Sequence, residues 1–333
     1  MTVRGALRRA LCASLLLCTQ CDNHRQATAP AVAASSAPLR APNPIDPLAT
    51  TGVAALPASS SAARAPSVGR ELVVPSSQIY EVADLKPGER RPLLIFLHGL
   101  GATGKVAFDV LHLAALGARE RVFVVAPDGN SDREKRQFWN SGPSCCNFDH
   151  QPVDDVARLG ALLEKWRARS DVDPARIYVA GHSNGGFMTE RLACALGDRL
   201  AAAASLSGAA PSAEVSCSPI SSLALLEVHG DADAIVRYEG GSVFDSKELA
   251  PYPSIRQGFQ AWAQRFGCTG EPRHGAALDL DARLDGAETQ VEEYANCARG
   301  SVALWTVHGG SHYVGTGTQA FEAVWRFLSA HHR

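Results

Sequence analysis

The stretch "ARIYVAGHSNGGFMTERLACAL", Ala175 to Leu196, constrains this chain more than any other. An apolar run stops at Gly181, a single serine stands between small residues, and a helical pattern begins at once. A buried strand that turns sharply into a helix thrusts the residue at its tip, here Ser183, out of the sheet edge. Glycines on both sides let the two arms of so tight a turn pack together. The helix that follows aims its positive end and its unpaired N–H groups at the same point. A serine so placed is exposed, and an anion formed on it is stabilised. The competing reading is a serine in an ordinary glycine-rich loop. The strand before Ser183 and the helix after it favour the turn.

The rest of the chain supplies the sheet that such a turn needs. Continuous apolar runs at 92–99, 122–127, 176–181, 201–209, 223–230 and 301–310 read as buried strands. Helical spacing covers 105–121, 153–170, the segment from about Gly185, 255–266 and 318–332. Asp154 and Asp155 fall in the first turn of the second of these helices, where acidic residues suit the positive helix end. The alternation predicts an α/β fold, a mostly parallel central sheet flanked by helices. The connecting segments are short, so no large lid domain is expected; only 130–152 and 239–254 are long enough to shape a wall.

In such a sheet, functional residues follow the C-terminal ends of strands. A serine needs a base and an orienting acid, in the chain order Ser, Asp, His for this turn. After 223–230 stand Asp231 and Asp233; after 301–307 stand His308 and His312. Asp233 and His312 are the candidates for acid and base, with Asp231 and His308 read as turn or structural residues. His182 is expected to shape the turn. Two N–H donors should face the oxyanion, those of Asn184 and of Leu100 in "HGLGATG". Trp139, Tyr238 and Tyr313 are candidate substrate-binding aromatics, with loop packing as the alternative for Trp139.

The chain has 333 residues, and its 32 basic and 34 acidic side chains nearly cancel. Neither nucleic acid nor an anionic membrane surface is implied as a partner, and no apolar run is long enough to span a bilayer. Arg4, Arg8 and Arg9 precede a short apolar run, Leu11 to Cys18, the layout of an export signal over 1–24. Cys18 and Cys21 resemble the acylated cysteine of lipoproteins, so a lipid anchor and free secretion both stand open. Residues 25–69 are rich in Ala, Pro and Ser without aromatics or a sustained period, which predicts a disordered tether. Residues 70–333 are then the folded catalytic domain. Its six cysteines are an even set in an oxidising compartment. The pairs expected are Cys268 with Cys297, Cys194 with Cys217 and Cys145 with Cys146, against the alternative of buried thiols. No Cys-x-x-Cys or closely spaced histidine ligand pair lies in the folded part, so a metal site is not expected there, and no cofactor is expected.

From about Arg90 onward the sequence resembles the α/β-hydrolase superfamily, more narrowly the secreted bacterial polyhydroxybutyrate depolymerase-like and feruloyl esterase-like proteins. The segments that carry this are "PLLIFLHGLGATG", "FWNSGPSCCN", "PVDDVARLGALLEKW", "DPARIYVAGHSNGGFMTERLACAL", "LLEVHGDADAIVRYEGG" and "VALWTVHGGSHYVG". Ser183, Asp233 and His312 match the family's triad, and Leu100 and Asn184 its oxyanion donors. Ala234 and Arg237 stand where the family carries prolines, and Tyr313-Val314-Gly315 where it carries Thr-Trp-Pro. The resemblance implies a cofactor-free, exported serine esterase acting on polyester, feruloyl or acetylated polysaccharide substrates. A serine peptidase of the same fold and a non-catalytic envelope-binding lipoprotein are the rival readings.

Overall fold

The computed structural model describes residues 76–333. The expected export segment, the tether and the anchor cysteines Cys18 and Cys21 lie outside the described residues. In chain order the elements are β1 (Ser77–Tyr80), β2 (Arg91–Leu97), α1 (Gly104–Val110), α2 (Leu113–Glu120), β3 (Phe123–Pro127), β4 (Asn130–Ser131), β5 (Gln137–Phe138), α3 (Asp155–Arg167), β6 (Val172–His182), α4 (Asn184–Leu196), β7 (Ala202–Leu206), β8 (Leu223–Gly230), α5 (Ile255–Phe266), β9 (Arg273–His274), β10 (Thr289–Cys297), β11 (Gly300–Val307) and α6 (Thr318–Ser329).

Nine strands form one sheet in the order β1-β3-β2-β6-β7-β8-β11-β10-β9. The pairs from β3 to β11 are parallel, and β1, β10 and β9 add antiparallel margins. Side chains alternate across the sheet, so an unbroken apolar run serves two cores at once. Leu93, Ile95 and Leu97 of β2 pack with Leu159 of α3, Phe187 of α4 and Phe259 of α5. Leu94 and Phe96 face the other way, against Ala107 of α1, Leu113 of α2 and Phe321 of α6. This is why β2 reads apolar throughout instead of alternating.

One helix and several strands differ from expectation: β1, β9 and β10 at the sheet margins and the short β4–β5 pair were not among the expected strands. The helix expected over 105–121 is two helices, because His112 adopts a left-handed conformation with φ 48° and ends the first turn stack. The strand β10 was not anticipated: in "TQVEEYANC" only Thr289 and Glu292 are buried, so no apolar run marks it. It is held by β11 on one side and by the Cys268–Cys297 disulfide at its end. Cys194–Cys217 and Cys145–Cys146 are the other disulfides, so all three expected pairs form. The two long loops meet each other: Ala250 N–H donates to the Pro143 carbonyl at 3.0 Å, and Phe148 packs near Phe244. Among the described residues no inserted domain covers the C-terminal sheet edge, and no helix is long and apolar enough to cross a membrane.

Candidate active site

β6 ends at His182 and α4 begins at Asn184, leaving Ser183 alone at the turn with φ 57° and ψ −120°. A non-glycine residue holds that conformation only when its surroundings force it. Here the Ser183 N–H is tied to the Leu206 carbonyl of β7 at 2.8 Å. A Cβ on Gly181 would collide with the Gly185 carbonyl, and one on Gly185 with the Leu97 carbonyl of β2. The two glycines therefore let α4 settle directly onto the sheet. A serine preceding a helix ordinarily caps it with its hydroxyl. Ser183 makes no such bond; its Oγ lies 2.8 Å from Nε2 of His312.

His312 comes from the loop after β11 and Asp233 from the turn after β8. His312 Nδ1 is 2.7 Å from Asp233 Oδ2. A carboxylate accepts, so Nδ1 carries the proton and Nε2 presents its lone pair to the serine hydroxyl. Asp233 is buried with both oxygens engaged: Oδ1 accepts from the Ile235 and Val236 N–H groups at 2.8 and 2.9 Å. Oδ2 also lies 3.3 Å from His229 Nε2. Burial alone would raise this carboxyl, but the His229 and His312 hydrogen bonds outweigh it and hold it well below the usual range. Asp233 is thus an anion held in place.

The His312 loop is clamped from two sides. His182 Nε2 donates to the His312 carbonyl at 2.8 Å. Burial and the neighbouring His312 push the His182 ring down to about 4, so it is neutral. Asp231 takes the Gly309 N–H at 2.7 Å and faces His308 Nδ1 at 2.8 Å. His308 and Asp231 thus form a second, exposed pair that fixes the loop and does not reach Ser183.

The donors expected for the oxyanion are the N–H groups of Asn184 and Leu100. Asn184 opens α4, so its N–H has no partner within the helix, and no acceptor engages the Leu100 N–H among the described residues. A chain of hydrogen bonds not foreseen from the sequence sets their spacing. The Asn184 side chain holds the backbone of Trp139 at both ends, accepting from its N–H at 2.7 Å and donating to its carbonyl at 2.9 Å. The Trp139 indole N–H in turn donates to the His98 carbonyl at 3.0 Å, two residues before Leu100. His98 accepts the Gly129 N–H on Nε2 at 3.0 Å and donates from Nδ1 to the Gly99 carbonyl at 2.8 Å.

Trp139 is therefore corrected: with no exposed surface, it is bonded under the 98–100 segment and lines no cleft. Tyr238 is half-buried against the core, its hydroxyl 2.8 Å from Thr306 Oγ1. Tyr313 alone of the three aromatics is open to solvent beside the serine, stacked on His182 with centroids 5.9 Å apart. Among the described residues no cluster of three or more His, Cys, Asp or Glu is placed to hold a metal ion.

A parallel sheet with helices on both faces and a serine at the β6–α4 turn defines an α/β-hydrolase fold. The family model described as phospholipase/carboxylesterase matches residues 80–249, and the chain belongs to that family. It is 31% identical over 248 residues to feruloyl esterase B of Piromyces equi, spanning 71% of this chain and 42% of that protein. It is 29% identical over 263 residues to "Putative esterase NocK" of Nocardia uniformis subsp. tsuyamanensis, spanning 75% and 74%. The chain thus covers less than half of the first of these relatives. Among solved structures, an acetyl xylan esterase from Aspergillus awamori superposes with a TM-score of 0.55 at 13% identity, over 76% of this chain and 93% of that one. At that identity the match speaks for the fold alone.

Proposed function

We propose that the protein is a serine esterase that hydrolyses carboxylic esters through an acyl-enzyme. His312 Nε2 takes the Ser183 proton as Oγ bonds to the ester carbonyl carbon. The carbonyl oxygen becomes an oxyanion held by the Leu100 and Asn184 N–H groups. As the tetrahedral intermediate collapses, the C–O bond to the alcohol breaks and His312 returns the proton to the departing alkoxide. Water then repeats the sequence on the acyl-enzyme and frees the acid and Ser183. Asp233 keeps Nδ1–H of His312 in register and offsets the imidazolium charge.

The observation that carries this reading is the unbroken run of hydrogen bonds from Asp233 through His312 to Ser183, at 2.7 and 2.8 Å. The relatives' names, a feruloyl esterase and an esterase, favour esters over amides and over a binding role. Polyester, feruloyl or acetylated polysaccharide are the substrate classes proposed. Export over residues 1–24, with free secretion or an anchor at Cys18 or Cys21, and a tether over 25–69 complete the proposal.

The test is turnover of p-nitrophenyl acetate, methyl ferulate, acetylated xylan and poly-3-hydroxybutyrate against an aminoacyl-nitroanilide. Ester cleavage that disappears in Ser183→Ala is expected. Nitroanilide cleavage alone would make the protein a peptidase, and turnover of neither would make it a binding protein.

A further inference from the structure

Five large apolar side chains stand well exposed among the described residues: Ile79, Val106, Val110, Phe244 and Tyr313. Three of them, Val106, Val110 and Tyr313, line one cleft. Val106 and Val110 are four apart on α1, so they share one stripe of the helix. They are 49% and 57% exposed, on a face where a surface helix ordinarily carries charge. Tyr313, 59% exposed, forms the opposite wall together with Thr316. The floor is Phe96, Ala107 and Leu111, all buried in the core.

The cleft reaches the residue before Ser183. Its inner edge is His98, Gly99 and His182, the oxyanion strand end and the residue before the serine. A Cβ on Gly99 would lie 3.4 Å from both the Ser183 Cβ and His182 Nδ1, so this edge of the cleft lies against the serine. None of the lining side chains is an acid, a lysine or an arginine. The two imidazoles are neutral and their donors are spent on the Gly99 and His312 carbonyls. Lys105 and Asp109 of α1 pair with each other at 2.6 Å. The cleft holds about 230 Å³, below the ~300–1,000 Å³ of sites that enclose a drug-sized molecule.

We propose that this cleft, between α1 and residues 313–316, is the subsite for the apolar part of the ester, sized for one ring or a short chain and not for a long fatty chain. The proposal rests on the esterase reading. Contiguous exposed apolar surface marks a binding site, and this patch adjoins the serine, so the occupant is the uncharged portion of the molecule being cleaved. An acyl group and an alkoxy group offer the same chemistry here, and the two substrate series below separate them.

The variant is Val106→Asp/Val110→Asp in the full chain, with Ile79→Asp, exposed elsewhere, as the control. One series holds p-nitrophenol constant and runs acetate, butanoate, hexanoate and benzoate. The other holds acetate constant and runs methyl, butyl and benzyl alcohols. In the double variant, the preference in kcat/KM for butanoate or benzoate over acetate, or for benzyl over methyl, is expected to fall by about tenfold or more, the scale that a few apolar groups contribute in a pocket. A fall in the first series assigns the cleft to the acyl side, and one in the second to the alkoxy side. Unchanged preferences in both series, or an equal fall in Ile79→Asp, overturn the proposal. Should the unaltered protein cleave no ester, the esterase reading fails. The cleft is then judged by saturation-transfer NMR of methyl benzoate on Ser183→Ala: binding abolished by the two aspartates sustains it, and binding unaffected by them overturns it.

Discussion

At residue 308 and residue 312 the chain offers two histidines after one strand, each beside an aspartate. His312 with Asp233 is buried and reaches Ser183, whereas His308 with Asp231 is exposed. We expect His312→Ala to lower kcat on p-nitrophenyl acetate by on the order of 10⁴ or more, and His308→Ala to lower it less than about tenfold. Steady-state kinetics on the two variants decides between the pairs; a dead His308→Ala would reverse the assignment. Trp139 gives a second expectation at this scale. Trp139→Phe keeps the ring and removes the donor to the His98 carbonyl, so kcat should fall by about tenfold with little change in KM, as the Leu100 N–H loses its register. A change confined to KM would argue for contact with substrate instead. Sequence spacing singled out Ser183, Asp233 and His312 because each follows a strand end in the expected order, and the three side chains lie within hydrogen-bond reach of one another. It misplaced Trp139 because an aromatic in a polar loop looks the same whether it lines a cleft or fills the space under one.

Among elements, α4 carries more than the serine turn. Glu190 on α4 and Glu227 on β8 are both buried, and Glu227 has neither oxygen engaged. Glu190 accepts the Trp262 indole N–H of α5 at 2.8 Å. Burial pushes Glu190 up to about 7 and, with Glu190 beside it, pushes Glu227 well above its ordinary range. The folded protein therefore holds protons that the unfolded chain releases above about 4.5. Stability is expected to fall as pH rises from the ordinary glutamate value through about 7. Glu190→Gln keeps an acceptor for Trp262 and removes the proton linkage, so its urea-unfolding free energy should vary less over that interval. An unchanged slope would place Glu190 outside the linkage. The strands and helices around this pair were readable from their apolar runs. The antiparallel β10 was not, since its burial is slight and its pairing depends on β11 and a disulfide distant in sequence.

For the whole molecule, the sheet order could be anticipated only as mostly parallel, because the antiparallel margins arise from long-range pairing that spacing does not record. Among the described residues, the Cys194–Cys217 and Cys268–Cys297 disulfides close loops of the chain. Cys268 and Cys297 are 29 residues apart, and a loop of that length confers roughly 3 kcal/mol when closed. Cys268→Ala/Cys297→Ala should lose about that much in urea unfolding, and an undiminished stability would show the bridge to be dispensable. The proposed tether predicts that a chain lacking residues 1–69 keeps the melting temperature and turnover of the full chain. The most direct trial of the whole proposal is mass-spectrometric mapping of the adduct formed with a fluorophosphonate. A single phosphonylated serine at 183, lost in His312→Ala and retained in His308→Ala, is the expected result. An unlabelled protein, or a label on any other serine, would contradict it.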